Sequence, residues 1–379
     1  MSETPFTLHV PACEIEHLKT KLELTRFPDE LNGVGWDYGA PLADVKRLVT
    51  RWKDGFDWRA SEAYINSFPQ FTRDIAVEGH GTLNIHYVHR RSDVGDKAIP
   101  LLFMHGWPGN FMEVSKILPL LTAVSPQQPS FHVVALSLPG YGFSDAPRKP
   151  GFSAEQFAQV GHKLMLALGY NEYVTQGGDW GYIITRKLQT MYGGTHVKAW
   201  HSNFSSVEPP QFMREPWQYL KYMVTPVTQR EKEGMTRTQW FYSQSFGFYL
   251  EQSTKPQTIG YSLADSPVGL LAWIYEKLVE YSDNYPWEDD EVLEWVSIYW
   301  FSKAGPAASL RIYYETTKAG DIANTPSTSV PNGLSHFPKD NVQVPRAWSR
   351  LVGNVVLQIE HNEGGHFAAR ENQSYSRTT

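Results

Sequence analysis

With one cysteine in 379 residues, Cys13, the chain has no partner for an intrachain disulfide and no thiolate set for a metal cluster. Cys13 reads as a quiet thiol near the N-terminus, and the count suits a reducing compartment. A basic excess is missing too. Against 40 Asp and Glu stand 34 Lys and Arg, a formal charge of −6, which offers no field for nucleic acid or anionic lipid. No run approaches the ~18 apolar residues of a membrane helix. The polar opening MSETPFTLHVPACEIEH lacks the basic stretch and apolar core of a secretory leader. These absences predict a soluble, cytoplasmic protein with no membrane anchor. Internal repeats and long low-complexity linkers are also missing. What is present is apolar residues at 41% and aromatics at 14%. They support one large domain with an insertion, or two domains, and suit a wide apolar pocket as well as an ordinary large core.

Residues 1–73 read as mixed helices and loops, with a helix at 14–24 and the turn-rich NGVGWDYGAP. The aromatic pairs Trp52/Phe56 and Trp58/Tyr64 have no catalytic companion and read as packing residues. From Asp74 the period changes. Residues 74–77 and 83–89 alternate like strands around the turn at Gly79 and Gly81. IPLLFMHGWPG is an apolar run ending in a Gly/Pro loop, as a strand covered on both faces would be. FHVVALSLPGYGFSD repeats that arrangement. YVTQGGDWG does so again, between helices expected at 154–168 and 182–191, and KAWHSNF follows. Strand and helix alternating at this spacing predict an α/β fold with a mostly parallel sheet flanked by helices. The alternation stops near Ser205, and residues 205–310 read as a helical lid over the strand ends. A last strand, 354–360, leads into HNEGGHF.

Gly177-Gly178-Asp179-Trp180-Gly181 has the glycine-flanked form of a strand-to-helix elbow that lifts a nucleophile above a sheet. A βα turn with a helix-capping aspartate has the same form. A carboxylate in the nucleophile's place, with a reference pKa of ~4, is already ionised at neutral pH. It attacks an sp³ carbon and forms an ester, and only the later hydrolysis needs a base. Substrates then carry a strained or good leaving group on carbon, as epoxides and alkyl halides do. His366, in a glycine turn after the last strand, is the candidate base, with His361 its neighbouring rival. Asp340 in HFPKD is the chosen carboxylate partner, since Glu360 and Glu363 lie too close to the histidine turn. His105-Gly106-Trp107-Pro108-Gly109 ends an apolar strand where backbone N–H donors for an oxyanion belong. The Trp107 and Trp180 amides are the candidates.

The ordered motifs FPDELNGVGWDYG, FDWRASEAYINSFPQF, HGWPG, PGYGFSD, GGDWG, STKPQTIG, DSPVGLLAWIYEKL, HFPKD and EGGHFAA cover nearly the whole chain. Through them the sequence resembles the epoxide hydrolases of the microsomal type, soluble fungal members in particular, of the α/β-hydrolase superfamily. The resemblance implies an α/β-hydrolase fold with an N-terminal wrapping segment and a helical lid. It implies Asp179 as nucleophile, His366 as base, Asp340 as its acid, and no cofactor or metal. It also implies two tyrosines that donate to the epoxide oxygen, an alkoxide being a poor leaving group without a donor. Tyr313 in RIYYETT matches one. The other position falls on Phe248, with Tyr249 beside it, so either Tyr249 turns inward or one donor is missing. Trp107, Trp180 and Phe248 are the expected substrate-contacting side chains.

The expected division is 1–73 wrapping segment, 74–204 first part of the core, 205–310 lid and 311–379 second part of the core. After His366 only FAARENQSYSRTT remains, so a covering C-terminal helix is expected to be missing and part of one sheet face uncovered. The expected partners are an apolar epoxide and water, with a homodimer allowed. Two readings stand beside this one: a haloalkane dehalogenase-like hydrolase, and a weakened member that binds an apolar ligand or performs a biosynthetic rearrangement.

Overall fold

The computed structural model describes residues 3–322 and 326–371. Among these, the strands are β1 (Thr4–Pro5), β2 (Gln70–Val77), β3 (Gly81–Arg90), β4 (Ile99–Met104), β5 (Phe131–Leu136), β6 (Tyr173–Gly177), β7 (Val197–Ser202), β8 (Thr328–His336) and β9 (Gly353–Glu360). They form one sheet in the order β1-β2-β3-β5-β4-β6-β7-β8-β9. The first strands run antiparallel as far as the β3–β5 pair. From β5 through β4 to β9 every pair is parallel. This is the mostly parallel α/β sheet the alternation predicts, and β4 and β5 at its centre are almost wholly buried.

Two flanking helices follow from local chemistry. Ala154–Ala167 starts at a capping box in which the Ser153 amide donates to Gln156 Oε1 at 2.8 Å. It buries the stripe Phe157, Val160 and Leu164. Trp180–Tyr192 packs across β4, β6 and β7.

The structure departs from the sequence reading in the placing of several elements. β2 begins four residues before the expected start, because Gln70 is buried and bonds to the Ile65 carbonyl through its side chain. The division at residue 73 therefore cuts a strand. β8 was not expected at all: TSVPNGLSH carries Pro and Gly, which a strand paired on both sides seldom holds. It pairs with β7 through Asn332, Gly333 and Leu334 and with β9 on its other side. Lastly, Arg311–Ala319, expected beyond the lid, packs against the lid helix Gly247–Thr254.

Between β7 and β8 the helices Pro216–Val224, Gln229–Trp240, Gly247–Thr254, Pro256–Asp265, Pro267–Glu280 and Asp289–Trp300 arch over the strand ends. The N-terminal helices Ala12–Glu23 and Leu42–Asp54 pack against Pro267–Glu280, and Leu42–Asp54 also against Asp289–Trp300. Val45, Leu48, Val49 and Trp52 form the buried face of Leu42–Asp54. Lys21 Nζ reaches Asp265 Oδ1 at 2.7 Å and Arg51 Nε reaches Asp290 Oδ1 at 2.8 Å. Trp58 meets the Phe301 ring at 4.9 Å.

Among the described residues no helix is long and apolar enough to cross a membrane. β9 is an edge strand, with Val356 66% exposed. Ala368–Glu371 forms one helical turn. The expectation of an uncovered face rests also on residues 372–379, which lie outside the described residues.

Candidate active site

Asp179 joins β6 to the helix Trp180–Tyr192 with φ 52° and ψ −124°. A non-glycine residue held in such a region costs about 1–3 kcal/mol and persists only where packing enforces it. Packing does so here. A Cβ on Gly178 would lie 2.6 Å from Asn203 Oδ1, and one on Gly181 would lie 2.1 Å from the Met104 carbonyl oxygen. Only glycines let the turn sit this tightly on the end of β4. The Asp179 carboxylate makes no capping bond to its helix, so the helix-capping alternative fails.

The carboxylate is turned instead to two donors. Oδ1 accepts from the Trp107 amide at 2.8 Å, and Oδ2 lies 3.3 Å from His366 Nε2. The other ring nitrogen, Nδ1, is 2.7 Å from Asp340 Oδ1. Asp340 is buried and also accepts from the Asn341 amide at 2.7 Å. Asp179, His366 and Asp340, which the sequence reading brought together, thus form one chain of contacts. Burial pushes His366 down, but the Asp340 and Asp179 carboxylates on either side outweigh it and raise its pKa to about 10.

The rivals are elsewhere. His361 stacks on Phe337 at 4.3 Å and contacts Ser335 Oγ at 3.2 Å. Glu360 pairs with Arg346 at 3.3 Å, and Glu363 is exposed.

Asp179 and His366 open into a cavity of about 180 Å³. Its apolar wall includes Trp180, Phe204, Phe241, Phe246 and Phe248, and Tyr249, Tyr281 and Tyr313 also line it. Tyr313 is buried, with its ring 4.7 Å from Trp180 and 5.7 Å from Trp107. Burial, then the Asp179 charge, pushes its hydroxyl well above the ordinary tyrosine range, so it stays protonated. The Tyr249 hydroxyl is 2.8 Å from Thr317 Oγ1, and its ring stacks on Phe246. Trp107 departs from expectation as a substrate-contacting side chain. Phe248 stacks on its indole at 5.4 Å and 9°, so Trp107 presents its amide to Asp179 while its ring lies behind Phe248. Trp180 opens its helix, where amide protons have no intrahelical partner.

Sequence reasoning missed several residues that hold this site. Asn203 Nδ2 donates to the His366 carbonyl at 2.8 Å, and the His366 amide donates to the Tyr281 carbonyl at 2.8 Å. Glu371 accepts from the Gly365 amide at 3.1 Å and the Asp283 amide at 2.8 Å. Under the HGWPG loop, burial raises the Glu113 carboxyl to about 8. Asn203 and Tyr281 had no local signal, because their partner His366 is distant in sequence.

Fold and site together define an α/β-hydrolase, and a family model for that fold matches residues 99–225. A second, the epoxide hydrolase N terminus, matches residues 3–114. The chain is 33% identical to epoxide hydrolase 1 of Sus scrofa, over 97% of this chain and 85% of that protein. It superposes on the structure of Aspergillus niger epoxide hydrolase with a TM-score of 0.86 and 36% identity, covering 100% of this chain and 94% of that one. The silkworm Bombyx mori juvenile hormone epoxide hydrolase gives a TM-score of 0.89 at 27% identity, over 99% and 92%. The chain belongs to the epoxide hydrolase family and is a hydrolase.

Proposed function

We propose that Asp179 is the nucleophile toward a small apolar epoxide, with His366, Asp340 and Tyr313 completing the reaction. The observation that carries this reading is the Asp179–His366–Asp340 chain opening into an aromatic cavity beside a buried tyrosine hydroxyl. Oδ2 attacks a ring carbon, the C–O bond breaks, and the oxygen takes a proton from Tyr313. The product is an alkyl ester of Asp179. Oδ1, held by the Trp107 amide, becomes the ester carbonyl oxygen.

Alkylation also prepares the second half of the reaction. In the resting site His366 lies between two carboxylates and holds its proton. Once Asp179 is an ester it loses its charge, so one of the two influences that raise the His366 pKa disappears. His366 then gives that proton to the Tyr313 phenolate, and the neutral imidazole takes a proton from water. The hydroxide adds to the ester carbonyl, and the Trp107 and Trp180 amides stabilise the oxyanion. Asp340 stabilises the imidazolium. The diol leaves with Oδ2 and takes the proton of the new carboxyl, Asp179 keeps the water oxygen as a carboxylate again, and His366 holds its proton as in the resting site.

The test is a single turnover in ¹⁸O-labelled water followed by mass analysis of the Asp179 peptide. The label is expected in Asp179 and not in the first-turnover diol; label in the diol refutes an ester intermediate. His366→Gln should ring-open but not hydrolyse, and so accumulate the ester as added mass. Bromoalkane turnover exceeding that of an aryl epoxide would favour the dehalogenase-like reading.

A further inference from the structure

The aromatic position expected to carry the second donor is Phe248, which has no hydroxyl, and the tyrosine beside it has its hydroxyl bonded to Thr317. We propose that Tyr281, at the C-terminal end of the lid helix Pro267–Glu280, supplies the second O–H donor to the opening epoxide oxygen. This inference rests on the reading of Asp179 as nucleophile.

Tyr281 is 2% exposed and lines the same cavity as Asp179 and Tyr313. Its hydroxyl is buried and has no hydrogen-bond partner among the described residues. A buried polar group left unpaired costs about 1–3 kcal/mol, so this hydroxyl, on a residue of the cavity wall, gains a hydrogen bond when a ligand oxygen reaches it. Its ring is 5.4 Å from His366 and 6.1 Å from Phe248, while Phe248 is 6.0 Å from Tyr313. Phe248 is therefore a near neighbour of both tyrosines, and all three line one cavity. The Tyr281 hydroxyl feels the Asp179 charge, and Tyr313 feels Tyr281.

The position is also fixed. The Tyr281 carbonyl accepts from the His366 amide at 2.8 Å, which ties this lid residue to the turn that bears the base. Lys277 lies 4.9 Å from the Phe248 ring and 5.7 Å from the Tyr281 ring, bracing both from the same helix.

In this assignment the ring C–O bond breaks with its electron pair on oxygen. Tyr281 and Tyr313 both hydrogen-bond to that oxygen, and one of them transfers its proton. His366 returns a proton to the resulting phenolate before it acts as the base toward water.

The experiment measures how fast mass is added to Asp179 in the His366→Gln enzyme, where only ring opening proceeds, using styrene oxide as probe. Adding Tyr281→Phe is expected to slow the adduct on the order of 10²-fold, the usual loss for one transition-state donor. It is also expected to slow it more than Tyr249→Phe does. Tyr281→Phe removes one unpaired oxygen and keeps the backbone bond to His366. Adding Phe248→Tyr to the Tyr281→Phe enzyme returns a hydroxyl to the same cavity and is expected to recover at least about a tenth of the lost rate. An unchanged adduct rate overturns the assignment, and so does a loss that Phe248→Tyr cannot restore, since that marks a purely structural role. If the His366→Gln parent forms no adduct, the reading of Asp179 and His366 fails. Diol formation by Tyr281→Phe and by the Phe248→Tyr/Tyr281→Phe pair, with His366 intact, then decides the donor role by the same loss and recovery.

Discussion

Asp179 is held in a backbone conformation that a side chain resists, and this strain can be measured. Glycine is already favoured over alanine at a helix N-cap, and a positive φ adds to that preference. Asp179→Gly is expected to unfold at a higher midpoint than Asp179→Ala, by about 1–2 kcal/mol, with both unable to form diol. Equal midpoints in chemical unfolding would mean the elbow is unstrained. His366 gives a pH test. Its folded pKa of about 10 lies above the ordinary 6.5, so the folded chain keeps a proton that the unfolded chain releases. That stabilisation is full below pH 6.5 and is lost as pH rises through about 10. The gap in unfolding midpoint between the native chain and His366→Gln should therefore shrink from about pH 6 to about pH 10; a widening gap contradicts the assignment. Tyr313→Phe is expected to slow diol formation on the order of 10²-fold and more than Tyr249→Phe. Equal losses would show that Tyr249 releases Thr317 when substrate binds. Asp179 and His366 were legible because glycine turns mark them, and Asp340 because of its place in chain order. Tyr281 was not. A lone tyrosine at the end of a lid helix has no neighbour in sequence to show that its hydroxyl goes unpaired.

Among the elements, the helix that follows the elbow lies so close to β4 that its second residue touches backbone. Gly181→Ala would press a methyl against the Met104 carbonyl, a backbone atom that cannot rotate away. The expected loss is about 1–3 kcal/mol or more, read from chemical unfolding, and an unchanged midpoint would refute the close contact. The central strands could be read from sequence because burial on both faces makes them continuous apolar runs ending in glycine loops. β8 escaped because its two neighbours in the sheet, not its own residues, make it a strand. Pro331 and Gly333 are tolerated where β7 and β9 pair on either side, and the pairing shifts register next to Asn332. The two-residue β1 offered too little pattern to see.

At the scale of the molecule, the N-terminal helices pack on the lid, and two kinds of contact hold them there. Trp52 is 3% exposed, and Trp52→Ala is expected to cost about 3–5 kcal/mol. Arg51→Ala should barely move the unfolding midpoint, because its pair with Asp290 is exposed and screened. A larger effect at Arg51 than at Trp52 would mean that charge, and not packing, fastens the lid. The wrapping role was legible only as packing aromatics without a catalytic companion; which surface they covered depended on contacts far along the chain. That distance has a consequence in time. Asp290 comes 239 residues after Arg51, and Asp265 comes 244 after Lys21. At a synthesis rate of roughly 5–20 residues per second, the N-terminal helices wait on the order of 10–50 s on the ribosome before the surface they cover exists. Throughout that interval the apolar stripe of Val45, Leu48 and Trp52 has no native partner from the lid.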